Sequence, residues 1–314
     1  MEVKNEIRRD SIEGRFVIIA PGRGARPHGG LAVSKPLEHG RGACRLCPEL
    51  IDKEKSVLEI PDPRDKTAWQ TKVVVNAFPI VDRGYPGAYG SHELVIETPR
   101  RDRAFHEFGP EEVSRVFGVY AARIAALGRD RLLKYATVFR NEGRMAGASL
   151  AHPHSQIVAG ALPPPDLIGR NSRIKAAFRK TGVCPYCALL EREAKGERLV
   201  GAAKSAIALA PHASLFPYEV WLLPKAHRHS LAGTTARERK DLAELLLSVA
   251  KFLAGKNLDW NLVVDELFGA RETHLAIRIF PRGTVWAAVE LATGMITNPV
   301  SPELAAIEYR NKIR

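Results

Sequence analysis

The chain has 314 residues, 45% hydrophobic and 26% charged, the make-up of a globular protein with room for two domains. No apolar run is as long as a membrane span, and the N-terminal MEVKNEIRRD lacks the apolar stretch of a signal peptide, so the sequence reads as cytoplasmic with no membrane partner. The net charge of +12, from 47 Lys+Arg against 35 Asp+Glu, suits anionic partners such as nucleotides or sugar phosphates and equally fits a basic proteome; the basic residues are scattered without interleaved aromatics, which argues against nucleic acid.

The first motif along the chain is Cys44-Arg-Leu-Cys47. In a cytosolic chain such pairs are more often metal ligands or redox dithiols than disulfides, although intracellular proteins of hyperthermophiles do carry disulfides. Phe78-Pro79 follows, then an apolar strand that opens with Glu93 and closes at Pro99. Pro110 begins a helix as a first-turn proline. Val113, Phe117, Tyr120, Ile124 and Leu127 form its apolar stripe. Strands are predicted over 135–139 and 154–159, and the run LPPPD over 162–166 predicts a linker. The same order then recurs. It runs through Cys184-Pro-Tyr-Cys187, Phe216-Pro217 and a strand from Glu219 to Pro224. A helix follows, started by a Thr235–Glu238 capping box and striped by Leu242, Leu245, Leu246, Val249 and Leu253. Strands over 260–264 and 274–280 complete the second copy. The recurrence predicts a duplicated α+β protein, with units 1–165 and 166–314, each an antiparallel sheet with packed helices. The two cysteine pairs are too far apart for one zinc ribbon, so each must find further ligands elsewhere.

The segment AHPHSQ, residues 151–156, carries the chemistry. In a strand His152, His154 and Gln156 share one face, and three polar groups there would be costly to bury unpaired. Metal binding is one role and nucleophilic catalysis another. Neutral imidazole attacks phosphorus, and at its ordinary pKa of about 6.5 it is largely unprotonated at neutral pH. An amide at Gln156 cannot act as an acid but can hold phosphate oxygens. That suits a leaving group needing little proton assistance, such as a sugar 1-phosphate, whose second pKa lies near about 6. Upstream, Gly143 and Gly147 let backbone amides approach a phosphate, and Asn141 and Ser149 add side-chain donors.

The stretch FRNEGRMAGASLAHPHSQIVA, residues 139–159, resembles the active-site segment of the galactose-1-phosphate uridylyltransferase family, in the histidine-triad superfamily. The likeness extends to RRDSIEGRFVIIAPGRGARP (8–27), VVVNAFP (73–79), PYEVWLLPKAH (217–227) and AVELATGMITNPV (288–300). It implies two fused histidine-triad-like units, the first catalytic and the second structural, lending the acceptor groove. It also implies ping-pong transfer of a uridylyl group from UDP-glucose to His154 and on to galactose 1-phosphate, giving UDP-galactose. Gln156, Ser149, Asn141 and Gly147 would hold phosphates, and Arg26 and Asn76 would contact the nucleotide. Glu290 would bind hexose hydroxyls across the interface of a homodimer.

By the same resemblance, zinc would take Cys44, Cys47 and His152. The family's further histidine is replaced here by Arg101, which leaves His92, Asp102 and His106 as substitutes, or a Cys44–Cys47 disulfide without metal. The second cysteine pair resembles the branch that includes plant ADP-glucose phosphorylase. It implies a second zinc site of Cys184, Cys187, His227 and Asp265, with His274 competing for the fourth place. Alternatives within this reading are an ADP-glucose phosphorylase-like enzyme and a nucleotide-binding protein without turnover.

Overall fold

The computed structural model describes residues 5–25, 31–32 and 44–312. Its first part holds strands β1 (Glu6–Arg9) and β2 (Phe16–Ile19), a short helix α1 (Pro48–Ile51), and strands β3 (Ser56–Pro61), β4 (Trp69–Val75) and β5 (Gly90–Ile96). Helix α2 (Pro110–Leu127) and strands β6 (Tyr135–Glu142) and β7 (His154–Gly160) follow. Helices α3 (Pro165–Thr181) and α4 (Pro185–Glu193) lead into β8 (Leu199–Ala202), β9 (Ala206–Leu209) and β10 (Val220–Pro224). Helix α5 (Ala236–Gly255), strands β11 (Trp260–Leu267) and β12 (Ile277–Pro281), α6 (Ala288–Thr293), β13 (Ile296–Asn298) and α7 (Pro302–Lys312) complete the chain.

The predicted duplication has a geometric form. A ten-stranded sheet runs β3-β4-β5-β7-β6-β11-β12-β10-β9-β8. Outward from the β6–β11 seam, the two halves present their strands in the same order. The two sheets expected from the sequence are therefore joined edge to edge, because β6 and β11 pair antiparallel from Tyr135↔Leu267 to Glu142↔Trp260. An unpaired edge at this position would expose a row of backbone donors and acceptors, and the seam removes both edges at once. A small sheet, β1-β2-β13, packs beside it.

Helices α2 and α5 cover one face of the large sheet. The two predicted apolar stripes are buried there in a core common to both halves. Gly109 N–H donates to Glu112 and opens α2 at Pro110, and the Thr235–Glu238 capping box starts α5 as expected. The opposite face is covered differently in the two halves. In the second half α4 and part of α3 pack on it, around Tyr186, Leu189, Ile174 and Trp221. The first half keeps its opposite face open around β7, and that asymmetry makes room for a site.

Two local expectations are corrected. The proline run at 162–166 is no slack linker, since Pro164 caps α3 and Pro165 is its first residue. Strand β12 begins at Ile277 rather than 274, leaving His274 ahead of the strand. No helix among the described residues is long and apolar enough to cross a membrane.

Candidate active site and metal clusters

Strand β7 begins at His154, so His154 and Gln156 share its open face while Ser155 between them faces the helices. Ser155 accepts a 2.6 Å hydrogen bond from Tyr120 of α2. His152 lies outside the strand, contrary to the shared face expected for all three residues. The proline separates a residue whose Nδ1 meets the cysteines from one held on the strand, and both line one cavity.

The His154 ring is held by its own chain. Its Nδ1 lies 2.8 Å from the carbonyl oxygen of His152. A carbonyl can only accept, so Nδ1 carries the proton and Nε2 keeps its lone pair. Burial lowers the pKa below its ordinary value and outweighs the upward push of the His152 carbonyl, with the charges of nearby Arg140 and the His152 ring adding to the fall, so the ring is neutral at pH 7. Behind the strand, buried Arg140 donates to the His154 carbonyl at 3.0 Å and to Glu97 at 2.6 Å. This pair fixes the nucleophile's backbone from the helix side.

His154 lines a cavity of about 380 Å³ at the seam. Asn141, Gly143, Ala148 and His152 contribute from the first half, and Asn257, Asp259 and Trp260 from the second. The loop between β6 and β7 is shaped by Gly143 and Gly147, at φ 89° and 86°, which only glycine adopts without strain. The second half braces it. Asp259 accepts the Met145 N–H at 2.7 Å, and the Asn261 amide donates to Asn141 Oδ1 and the Ala146 carbonyl, each at 2.8 Å. The Asn141 Nδ2 then faces Gly147.

Gln156 is tied to two residues from the neighbouring strands. Its Oε1 lies 2.8 Å from His92 Nε2 and 3.3 Å from Asn76 Nδ2. Ser149 stands exposed in the loop. Glu290 is buried as the cap of α6, accepting the Ala287 N–H at 2.9 Å; like Asn76, Gly147, Ser149 and Gln156, it is absent from the lining of the cavity that His154 enters. Arg26 lies outside the described residues.

Each cysteine pair meets a histidine. Cys44, Cys47 and His152 bring their ligand atoms within 4.8 Å of one another, and Cys184, Cys187 and His227 do the same. All four cysteines are free thiols. His152 Nε2 points at the Thr98 carbonyl at 2.8 Å, which leaves Nδ1 facing both sulfurs at 3.6 and 3.8 Å. His227 repeats the pattern, with Nε2 on the Arg271 carbonyl and Nδ1 3.4 Å from Cys187. Such an outer hydrogen bond fixes the tautomer of a metal-binding histidine. Burial and then the neighbouring Cys184 push the Cys187 thiol up to about 11, so the pair ionises readily only beside a cation. Both clusters could therefore hold a metal.

Asp265 is not part of the second cluster. Its carboxylate is taken by Arg278 and by Thr137 at 2.8 Å, with Arg170 at 3.4 Å. Glu13 closes this buried network onto Arg170 and Arg278, each at 3.2 Å. His274 lies beside the cluster: its ring is 5.3 Å from that of His227, and its buried Nε2 has no hydrogen-bond partner among the described residues. His274 precedes β12 much as His152 precedes β7. His92, a proposed substitute at the first cluster, is instead engaged by Gln156 and by the Ile80 N–H.

Sequence reasoning missed Asp259, Asn261, Arg140 and the partnership of His92 with Gln156. The signal for the last was a histidine at the start of the apolar strand HELVI, on the same strand face as Leu94 and Ile96.

Two repeats in one sheet, with His-x-His-x-Gln at the start of the last strand of one repeat in chain order, define a histidine-triad fold in a doubled form. A family model described as the N-terminal domain of galactose-1-phosphate uridyl transferase matches residues 84–164. An ADP-glucose phosphorylase of Arabidopsis thaliana is 28% identical, over 95% of this chain and 90% of its own length. A galactose-1-phosphate uridylyltransferase of Thermotoga maritima is 26% identical, over 88% and 91%. The crystal structure of an Arabidopsis thaliana ADP-glucose phosphorylase with bound ADP-glucose superposes with a TM-score of 0.85 at 26% identity, over 98% of each chain. A galt-like protein from the same plant gives 0.84 at 26%, over 99% of each chain. Over nearly its whole length the chain is thus similar to galactose-1-phosphate uridylyltransferase-like proteins, and the comparisons support a place among hexose-1-phosphate nucleotidyltransferases.

Proposed function

We propose that this chain moves a nucleotidyl group from a nucleoside diphosphate hexose to a phosphate acceptor through a covalent bond to His154. The observation that carries the reading is the His154 tautomer. With Nδ1–H on the His152 carbonyl, Nε2 offers its lone pair to the α-phosphorus. The N–P bond forms as the P–O bond to the distal phosphate breaks, and hexose 1-phosphate leaves without needing a proton. The positive ring keeps its Nδ1–H on the carbonyl, which stabilises the charge. Gln156 and the loop around Gly143 and Gly147 donate to the oxygens of the reacting phosphate. An acceptor phosphate oxygen then attacks from the same cavity and frees His154.

Two donor–acceptor pairs fit. One is UDP-glucose with galactose 1-phosphate, supported by the family match at residues 84–164. The other is ADP-glucose with inorganic phosphate. It is supported by the likeness to ADP-glucose phosphorylase over nearly the whole chain. Zinc in the two clusters would act as a structural cross-link, and at the first it would pin the peptide just ahead of the nucleophile. Cys44, Cys47 and His152 would hold one ion; Cys184, Cys187, His227 and His274 would hold the other. Glu290, remote from the cavity of its own chain, would serve a second copy in a homodimer. Units 1–165 and 166–314 would then be the catalytic and supporting halves, in the cytoplasm.

The test is intact-mass measurement after exposure to UDP-glucose or ADP-glucose without acceptor. The added mass names the base. His154→Gly is expected to gain no mass while still binding the sugar nucleotide. An adduct that survives this substitution would overturn the reading.

A further inference from the structure

We propose that His92 is a positioning residue that fixes Gln156 as a hydrogen-bond donor to the reacting phosphate. The inference rests on the reading of His154 as nucleophile and deepens it. An amide can face a phosphate with its oxygen or its nitrogen, and the two choices have opposite effects. An oxygen would repel the charge that builds on the phosphate; an N–H pair would stabilise it.

The choice is settled by backbone groups that cannot turn over. The Ile80 N–H points at His92 Nδ1 from 3.3 Å. That nitrogen must accept, so the ring proton sits on Nε2. Nε2–H lies 2.8 Å from Gln156 and requires an acceptor there, which places Oε1 towards His92. The Phe78 N–H lies 2.9 Å from Asn76 Oδ1, which turns the Asn76 Nδ2 towards the same site. Asn76 Nδ2 lies 3.3 Å from Gln156 Oε1 and 3.2 Å from His92 Nε2; with its own oxygen held by the Phe78 N–H and His92 Nδ1 held by the Ile80 N–H, both nitrogens donate to Gln156 Oε1 side by side. Reversing the Gln156 amide would set its N–H groups against both of these donors. Its Nε2 therefore turns away from His92 and Asn76, with its protons available to substrate.

The arrangement needs a neutral ring at His92. A second proton would occupy Nδ1 and oppose the Ile80 N–H. Burial, with 5% of the residue exposed, lowers the His92 pKa and keeps the ring neutral, against a smaller upward push from Gln156. The Phe78-Pro79 segment thus contributes through its backbone. Two amides of that loop set two side chains, and those two set the third.

The experiment is a double-mutant cycle on the full chain, read as the single-turnover rate of nucleotidyl-enzyme formation. His92→Leu is expected to slow that step about 10- to 100-fold, the usual effect of losing an orienting partner, with sugar-nucleotide affinity unchanged. His92→Gln restores an N–H towards Gln156 and is expected to recover most of the rate. In a Gln156→Ala background, His92→Leu is expected to have no further effect. An undiminished effect in that background would mean that His92 acts independently of Gln156, and would overturn the proposal. The imidazole nitrogen NMR signals of the folded wild type give a readout that needs no turnover. They are expected to show a proton on Nε2 and none on Nδ1; the reverse tautomer would overturn the assignment. A wild type that took no nucleotide would sink the proposed reaction, and the tautomer would still decide the geometry.

Discussion

His154 shows how far one residue can be set by its surroundings. Its proton is assigned by a carbonyl of its own chain, its charge by burial, and its backbone by Arg140 and Glu97. The lowered pKa has a direct kinetic sign. The neutral ring is the nucleophile, so adduct formation is expected to hold constant from pH 8 down past about 6.5 and to fall only in more acid solution. A rate falling by half at or above that pH, in a rapid-quench profile, would contradict the burial-lowered pKa of the ring. Arg140 offers a second test. Breaking a buried pair leaves one charge uncompensated, at a cost of about 3–5 kcal/mol. Arg140→Met is therefore expected to lower the midpoint of denaturant unfolding strongly, and Arg140→Met with Glu97→Leu to recover much of the loss. The nucleophile and its amide were legible in the sequence because alternating polar residues on an apolar strand stand out. Asp265 was misread because its partner is equally hidden: Arg278 interrupts HLAIRIF, Asp265 directly follows WNLVV, and the two charges meet across adjacent strands. Two opposite charges in neighbouring apolar strands were the available sign of an ion pair.

At the scale of elements, the glycine loop depends on a strand from the other half. A Cβ at Gly143 would overlap the Asp259 carboxylate, and φ of 89° is costly for any other residue. Gly143→Ala is expected to destabilise the fold by about 1–3 kcal/mol. It should slow adduct formation more than Asp259→Ala, which only frees the Met145 N–H. Equal rates for wild type and Gly143→Ala in single-turnover measurements would show that the loop carries no part of the phosphate site. The starts of α2 and α5 were legible to the residue, because Pro110 and the Thr235–Glu238 box are local signals that the structure keeps, whereas α1, α3, α4, α6 and α7 were not read from the sequence. The proline run and the start of β12 were not. Proline breaks a strand but also opens a helix, and only packing against β11 and α4 decides between them for α3. His274 looks like strand in sequence, yet the ring turns to His227 instead of pairing in the sheet.

For the whole molecule, the sequence disclosed two copies but not how they combine. Hydrogen bonding between β6 and β11 has no signature along the chain, since it joins residues far apart in number. Nor does the repeat itself say which face of which half is left open. That follows from α3 and the nine-residue α4, against which the first cysteine pair carries only the four-residue α1, and from the Glu13–Arg170–Asp265–Arg278 network beneath them. The metal clusters make a prediction at this scale. Stripping metal with a chelator, or Cys184→Ser, is expected to lower the melting temperature while adduct formation at low temperature persists. Cys44→Ser is expected to impair both, because its cluster adjoins the nucleophile. Calorimetry and metal analysis read the first effect, and intact mass the second.

The seam also bears on what the peptide bonds between the halves are for. If a protease nicked the loop at 161–164, eight residue pairs would still bridge β6 and β11, and α2 would still lie on α5. The fragments should stay locked as a complementing pair and co-elute on gel filtration. Covalent continuity would then matter for assembling the molecule, while the finished object needs it no longer.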